Sequence, residues 1–187
     1  KSSIIQALFR MVEIEKTWQY SDSYIKIDNV DIGQIGLDLL RSRISIIPQT
    51  PAIFTGTVKR NLDPLEKLSN FELWQILSEV GLKEYVSSLP EQLNTDMTVS
   101  ATVFSTGQKQ LICLARALIN KSKVIILDEA TANVDVETDS LIQKTIMTKF
   151  KDCTVLTVAH RLITIANYDK AVVIESGRVV EYDSDRK

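Results

Sequence analysis

The run Val124-Ile-Ile-Leu127, closed by the adjacent carboxylates Asp128 and Glu129, constrains this chain more than any other stretch. Its continuous apolar, largely β-branched character suits a strand covered on both faces, as in a parallel sheet. In an open α/β sheet, ligands gather outside the carboxyl ends of the strands. An acidic pair at such an end admits two readings. In one, Asp128 holds Mg²⁺, directly or through water, and Glu129 polarises a water for attack on a γ-phosphate. In the other, Asp128 N-caps the helix that follows and Glu129 lies in its first turn.

Other stretches bear on that choice. Lys1-Ser2-Ser3 matches only the K-[ST] end of the phosphate-loop pattern G-x-x-x-x-G-K-[ST], and it equally reads as a lysine and a cap at a terminus. An amphipathic helix follows, with Ile4, Ile5, Leu8 and Met11/Val12 predicted to face inward. Beyond a polar segment, Tyr24 to Asp31 alternates like an edge-type antiparallel strand and turn. Leu37 to Arg43 reads as a short helix, and Ile44-Ser-Ile-Ile47 as a strand stopped by Pro48. Gln49 then stands at a strand end, within reach of a metal or a water, or as a plain loop residue.

From Thr57 to about Ile119 the pattern is helical. Val58–Leu62, Phe71–Val80 and Leu82–Leu89 are parted by Pro64, Gly81 and Pro90. The stripe Phe71, Trp74, Ile76/Leu77 and Val80 is expected in the core. Ser105 is a natural N-cap for the next helix, and Gly107 allows close backbone approach to a ligand. That helix end offers free amides to an anion, or is simply capped. Thr138 to Phe150 reads as a helix and Cys153 to Val158 as a second buried strand, with the chain's one histidine, His160, beyond its end. His160 could converge with Glu129 on one crevice. Lys170–Glu175 and Arg178–Tyr182 form a closing hairpin around Ser176-Gly177.

Composition narrows the function classes. With 187 residues, 44% hydrophobic, the chain can build one sizeable core. A net charge of −2 with no basic block gives no argument for nucleic acid as a partner. Cys113 and Cys153 lack metal-ligand spacing and read as buried free thiols of a reducing compartment. No run is long enough for a membrane span. Both termini look cut, so a piece of a longer polypeptide is expected, and any membrane part would lie outside this chain.

Taken together, these motifs resemble the nucleotide-binding domain of an ATP-binding-cassette (ABC) transporter over nearly the whole chain. Lys1-Ser2-Ser3 is similar to the tail of Walker A, Gln49 to the Q-loop glutamine, and Phe104-Ser105-Thr106-Gly107-Gln108 to the signature. Lys123 to Glu129 resembles Walker B with its catalytic glutamate, Ala132 to Asp135 the D-loop, and His160 the switch histidine. Leu40 to Gln49, Phe54 to Pro64 and Leu141 to Ile146 resemble subfamily C, the multidrug-resistance-associated type, and its second, C-terminal cassette. Thr106 stands where the common signature has Gly, and Ser100-Ala101-Thr102-Val103 replaces the usual lead-in.

The resemblance implies an α/β fold of P-loop NTPase type, a mostly parallel sheet with an inserted α-helical subdomain, lacking the N-terminal strands and the phosphate-loop glycines. Residues 1–56 and 120–187 would form the ATPase core and 57–119 the helical subdomain. Two cassettes would sandwich ATP head to tail. Lys1, Ser2 and Ser3 would meet the phosphates, and Ser2, Gln49 and Asp128 would hold Mg²⁺. Glu129 would be the base or water-positioner, assisted by Gln49 and His160. Ser105, Gly107, Gln108 and Asp135 would contact nucleotide, Ser105 and Gly107 doing so in trans. The partners implied are a second nucleotide-binding domain, in the same polypeptide, and transmembrane domains, with no nucleic acid. The setting implied is the cytoplasmic side of a membrane exporter. A non-hydrolytic, ATP-gated regulatory cassette and a soluble ABC ATPase are the alternatives. The Asp128-Glu129-His160 set speaks against the first of these, and the subfamily runs against the second.

Overall fold

The computed structural model describes residues 2–13, 23–98, 104–159 and 168–183. Helix α1 (Ser2–Leu8) stops a turn earlier than its apolar spacing predicts. Arg10 adopts a left-handed conformation (φ 49°), and the amides of Met11 and Arg10 bond back to the carbonyls of Gln6 and Ala7, a Schellman closure. Ile5 and Phe9 are therefore the buried pair. Met11 and Val12, expected to face inward, lie past the turn and are exposed. Strands β1 (Lys26–Ile27) and β2 (Val30–Asp31) form a hairpin whose turn residues, Asp28 and Asn29, both have positive φ, as a two-residue type I′ turn requires.

Helix α2 (Leu37–Arg43) leads into β3 (Ile44–Ile47), as the sequence predicts. Helix α3 (Val58–Leu62) is capped by the Thr57 hydroxyl. A Ser69/Glu72 capping box opens α4 (Asn70–Glu79). Gly81 (φ 72°) ends α4, and α5 (Lys83–Ser88) follows. The inward face of α4 is Leu73 and Leu77, both 0% exposed, with Val80 just beyond. Phe71, expected in the core stripe, is exposed, because it lies a helical quarter-turn or more from that face.

Helix α6 (Thr106–Asn120), strand β4 (Val124–Asp128), helix α7 (Val136–Lys149) and strand β5 (Thr154–Val158) complete the centre. Among the described residues the sheet runs β3-β4-β5, all parallel, with Ile47 beside Leu127 and Asp128 beside Val158. Strand β6 (Ala171–Glu175) pairs antiparallel with β7 (Arg178–Asp183) through the turn at Ser176-Gly177.

Alternation along β4 explains the layers. Ile125 and Leu127 pack with Ile47 against α3 to α7 in one contiguous hydrophobic cluster. Ile126 faces the other way and packs with Ile44, Ile5, Phe9, Ile32 and Leu40. The central strand is thus apolar on both faces because both are covered. Strand β5, expected to be buried, is only half covered, with Leu156 exposed, since it is the outer strand of this sheet among the described residues. Cys113 is buried as expected, whereas Cys153 is half-buried, its thiol donating to the Ser122 carbonyl. No helix among the described residues is long and apolar enough to cross a membrane.

Candidate functional site

Parallel strands in register bring their carboxyl ends to one edge. Pro48 and Gln49 leave β3 there, Asp128 and Glu129 leave β4, and Val158 and Ala159 leave β5. Asp128 is the last residue of β4, and the cap of α7 is Asp135, so Asp128 does not N-cap the next helix. Glu129 turns the chain in the left-handed region (φ 48°), the conformation that Arg10 and Asp28 also adopt where the chain turns. Its amide bonds to the Val158 carbonyl at 3.2 Å, and its carbonyl accepts from Ala132. Gln49 Nε2 donates to Glu129 Oε2 at 3.1 Å. A cavity of about 70 Å³, lined by Leu127, Ala130, Ile142 and Thr157 among others, adjoins Glu129.

The backbone that presents Gln49 is held from α6. Gln110, 1% exposed, donates from Nε2 to the carbonyls of Pro48 (2.8 Å) and Gln49 (3.0 Å). Sequence reasoning missed it. The available signal was a glutamine placed beside the run Leu111, Ile112, Cys113, Leu114. Further along α6, Arg116 bonds to the Ala52 carbonyl and to Asn61, and its guanidinium lies over the Phe54 ring. Burial lowers the pKa of Arg116 and raises that of the neighbouring Cys113 thiol.

A second group forms where α6 and α7 begin. The Ser105 hydroxyl accepts from the Gln108 amide, and the Gln108 side chain accepts from the Ser105 amide, a complete capping box. Asp135 accepts from the Thr138 amide at 2.9 Å and the Thr138 hydroxyl at 2.8 Å. Those two bonds, the amide first, hold the Asp135 carboxyl below its usual pKa. Gly107 is buried against Thr138. A Cβ at residue 107 would meet Thr138 Cγ2 at 2.8 Å. Packing within the chain therefore favours glycine here, alongside any approach to a ligand.

The structure thus assembles Gln49, Asp128 and Glu129 at one edge, and Ser105, Gly107, Gln108 and Asp135 around two helix starts. Ser2 and Ser3 are exposed in the first turn of α1. Lys1, His160 and the lead-in Ser100 to Val103 lie outside the described residues. Among the described residues no group of three or more His, Cys, Asp or Glu side chains could hold a metal by itself. The oxygens of Asp128, Gln49 and Ser2 are hard donors, which fit a Mg²⁺ ion that keeps waters and takes further ligands from phosphate.

A parallel α/β sheet whose central strand ends in this acidic pair, with a neighbouring-strand glutamine bonded to it, defines the class as a P-loop NTPase-like nucleotide-binding domain. The family model described as "ABC transporter" matches residues 1–132, and the chain belongs to that family. It is 52% identical over 184 residues to ATP-binding cassette sub-family C member 4 of Homo sapiens and, over the same length, to the probable multidrug resistance-associated protein lethal(2)03659 of Drosophila melanogaster. It is 46% identical over 187 residues to ABC transporter C family MRP4 of Zea mays. These alignments cover 98 to 100% of this chain but only 12 to 13% of the relatives' lengths. The similarity is to subfamily C, as the stretches Leu40 to Gln49, Phe54 to Pro64 and Leu141 to Ile146 imply.

Proposed function

We propose that this chain is the ATP-binding and ATP-hydrolysing cassette of a membrane exporter, facing the cytoplasm, and that it is the second of two cassettes in one polypeptide. Residues 57–119 act as its helical subdomain. The observation that carries the reading is the Gln49–Glu129 hydrogen bond at the carboxyl edge of the sheet. It puts an amide and a carboxylate together where the fold collects ligands.

In this reading Lys1 neutralises charge on the β- and γ-phosphates, and Ser2 and Ser3 open the phosphate-binding helix. Ser2, Gln49 and Asp128 hold Mg²⁺, which when bound supplies charge neutralisation to the phosphates. Glu129 orients and deprotonates the attacking water. Gln49 keeps the Glu129 carboxylate aimed, and His160 contacts the γ-phosphate. Phosphoryl transfer needs mainly positioning and charge stabilisation, so these side chains suffice without a covalent intermediate. Ser105 and Gly107 cover the γ-phosphate on a second, head-to-tail cassette, and Gln108 and Asp135 contact nucleotide. Closure on ATP and reopening on hydrolysis drive the transmembrane domains.

The test is Glu129→Gln in the full-length protein. Turnover is expected to vanish while ATP binding persists and the cassette pair stays closed in ATP. Undiminished turnover rules out Glu129 as the base. A wild-type protein that binds ATP without turning it over points instead to a gated regulatory cassette.

A further inference from the structure

Gln110 has no role in the reading above, yet its environment is unusual. It is almost fully buried and polar. Both hydrogens of Nε2 go to main-chain carbonyls, those of Pro48 and Gln49. The amide cannot be reversed, because Oε1 has no hydrogen to offer two carbonyl oxygens. Oε1 itself is buried without a partner among the described residues. A buried acceptor left unmatched lowers stability, so packing alone does not account for a glutamine where methionine would fill the same space. What the side chain does achieve is to fix two successive carbonyls of the loop that presents Gln49. The same loop is held further on by Arg116, at the Ala52 carbonyl and through Asn61 at Phe54.

We propose that Gln110 is a positioning residue for Gln49, setting the main chain from which the Gln49 amide reaches Glu129. The inference rests on the reading of Gln49 and Glu129 as parts of the hydrolytic site. It also supplies a link. Gln110 lies within about one and a half turns of Ser105 and Gly107 on the same helix. Helix α6 thus carries, within about two turns, the residues proposed to meet a partner's nucleotide and the one that fixes the loop of Gln49.

The test is a double-mutant cycle in the full-length protein, with kcat, KM for ATP and thermal stability measured for each form. Gln110→Met removes both donors, and the unpartnered Oε1 with them, at nearly constant volume, and frees the Pro48 and Gln49 carbonyls. It is expected to lower kcat roughly ten- to hundredfold, the scale of a small misplacement of a catalytic group, with KM for ATP nearly unchanged. In a Gln49→Ala background the same substitution is expected to have no further effect. Should Gln110→Met fail to fold, Gln110→Asn carries the cycle, since it keeps the amide but is too short to span both carbonyls. If Gln49→Ala slows turnover and the Gln110 variants do not, the inference is overturned. It is also overturned if the two effects multiply, because Gln110 then acts elsewhere. If Gln49→Ala itself leaves turnover intact, the reading of Gln49 fails and the inference goes with it.

Discussion

Gly107→Ala separates packing within the chain from contact with a ligand. The new Cβ would lie 2.8 Å from Thr138 Cγ2, 3.1 Å from its Oγ1 and 3.2 Å from its Cβ. Thr138 has little room to yield. Its hydroxyl is bonded to Asp135 Oδ2 and its amide to Oδ1, and a β-branched side chain has few χ1 alternatives. Overpacking of this kind costs about 1–3 kcal/mol. Exchanging glycine for alanine in a helix stabilises by up to about 1 kcal/mol. The net expectation is a loss of about 1 kcal/mol. In a Thr138→Ala background the two shortest contacts disappear, and the same change becomes neutral or stabilising. The coupling between the sites should then be about 1 kcal/mol or more. Urea unfolding of the complete cassette, followed by tryptophan fluorescence, measures all four forms. Equal effects of Gly107→Ala in both backgrounds would refute the close approach, as would stabilisation in the wild-type background.

Three further outcomes follow from the geometry. Asn61 is fully buried and bonds to Phe54 N, Phe54 O, Thr57 O and Arg116, so Asn61→Ala should cost about 3 kcal/mol or more in the same unfolding assay. On α4, Leu77→Ala should cost about 2–5 kcal/mol, whereas Phe71→Ser should stay within about 0.5 kcal/mol of wild type. A reversal of that order would mean that α4 is rotated from the orientation described. Asp135 has a depressed pKa, so its cap contributes above the ordinary carboxylate range and is lost as pH falls through the lower folded value. A ¹³C carboxyl titration should give a midpoint below 3.8, and Asp135→Asn should keep the cap while abolishing that titration. A midpoint at or above 3.8 would refute the bonding to Thr138.

What the sequence determined by itself is local or periodic. The β-branched run at Val124–Leu127, the proline after Ile47, the Ser105 cap and the Ser176-Gly177 turn each specify backbone geometry through neighbours a few residues away. Such signals placed the central strand and four other strands within about a residue of their observed bounds, and the ordered motifs carried the family. Tertiary structure decided what depends on distant partners. Phe71 and Met11 look as apolar as Leu77 and Ile5, and only the packed layers determine which of them is covered. The end of α1 depended on a left-handed arginine, a conformation that arginine does not advertise. Most tellingly, Gln110 meets Gln49 across 61 residues, and Gly107 meets Thr138 across two helix starts. Such contacts arise because the parallel register brings separated strand ends to one edge, and no spacing within the chain encodes that proximity.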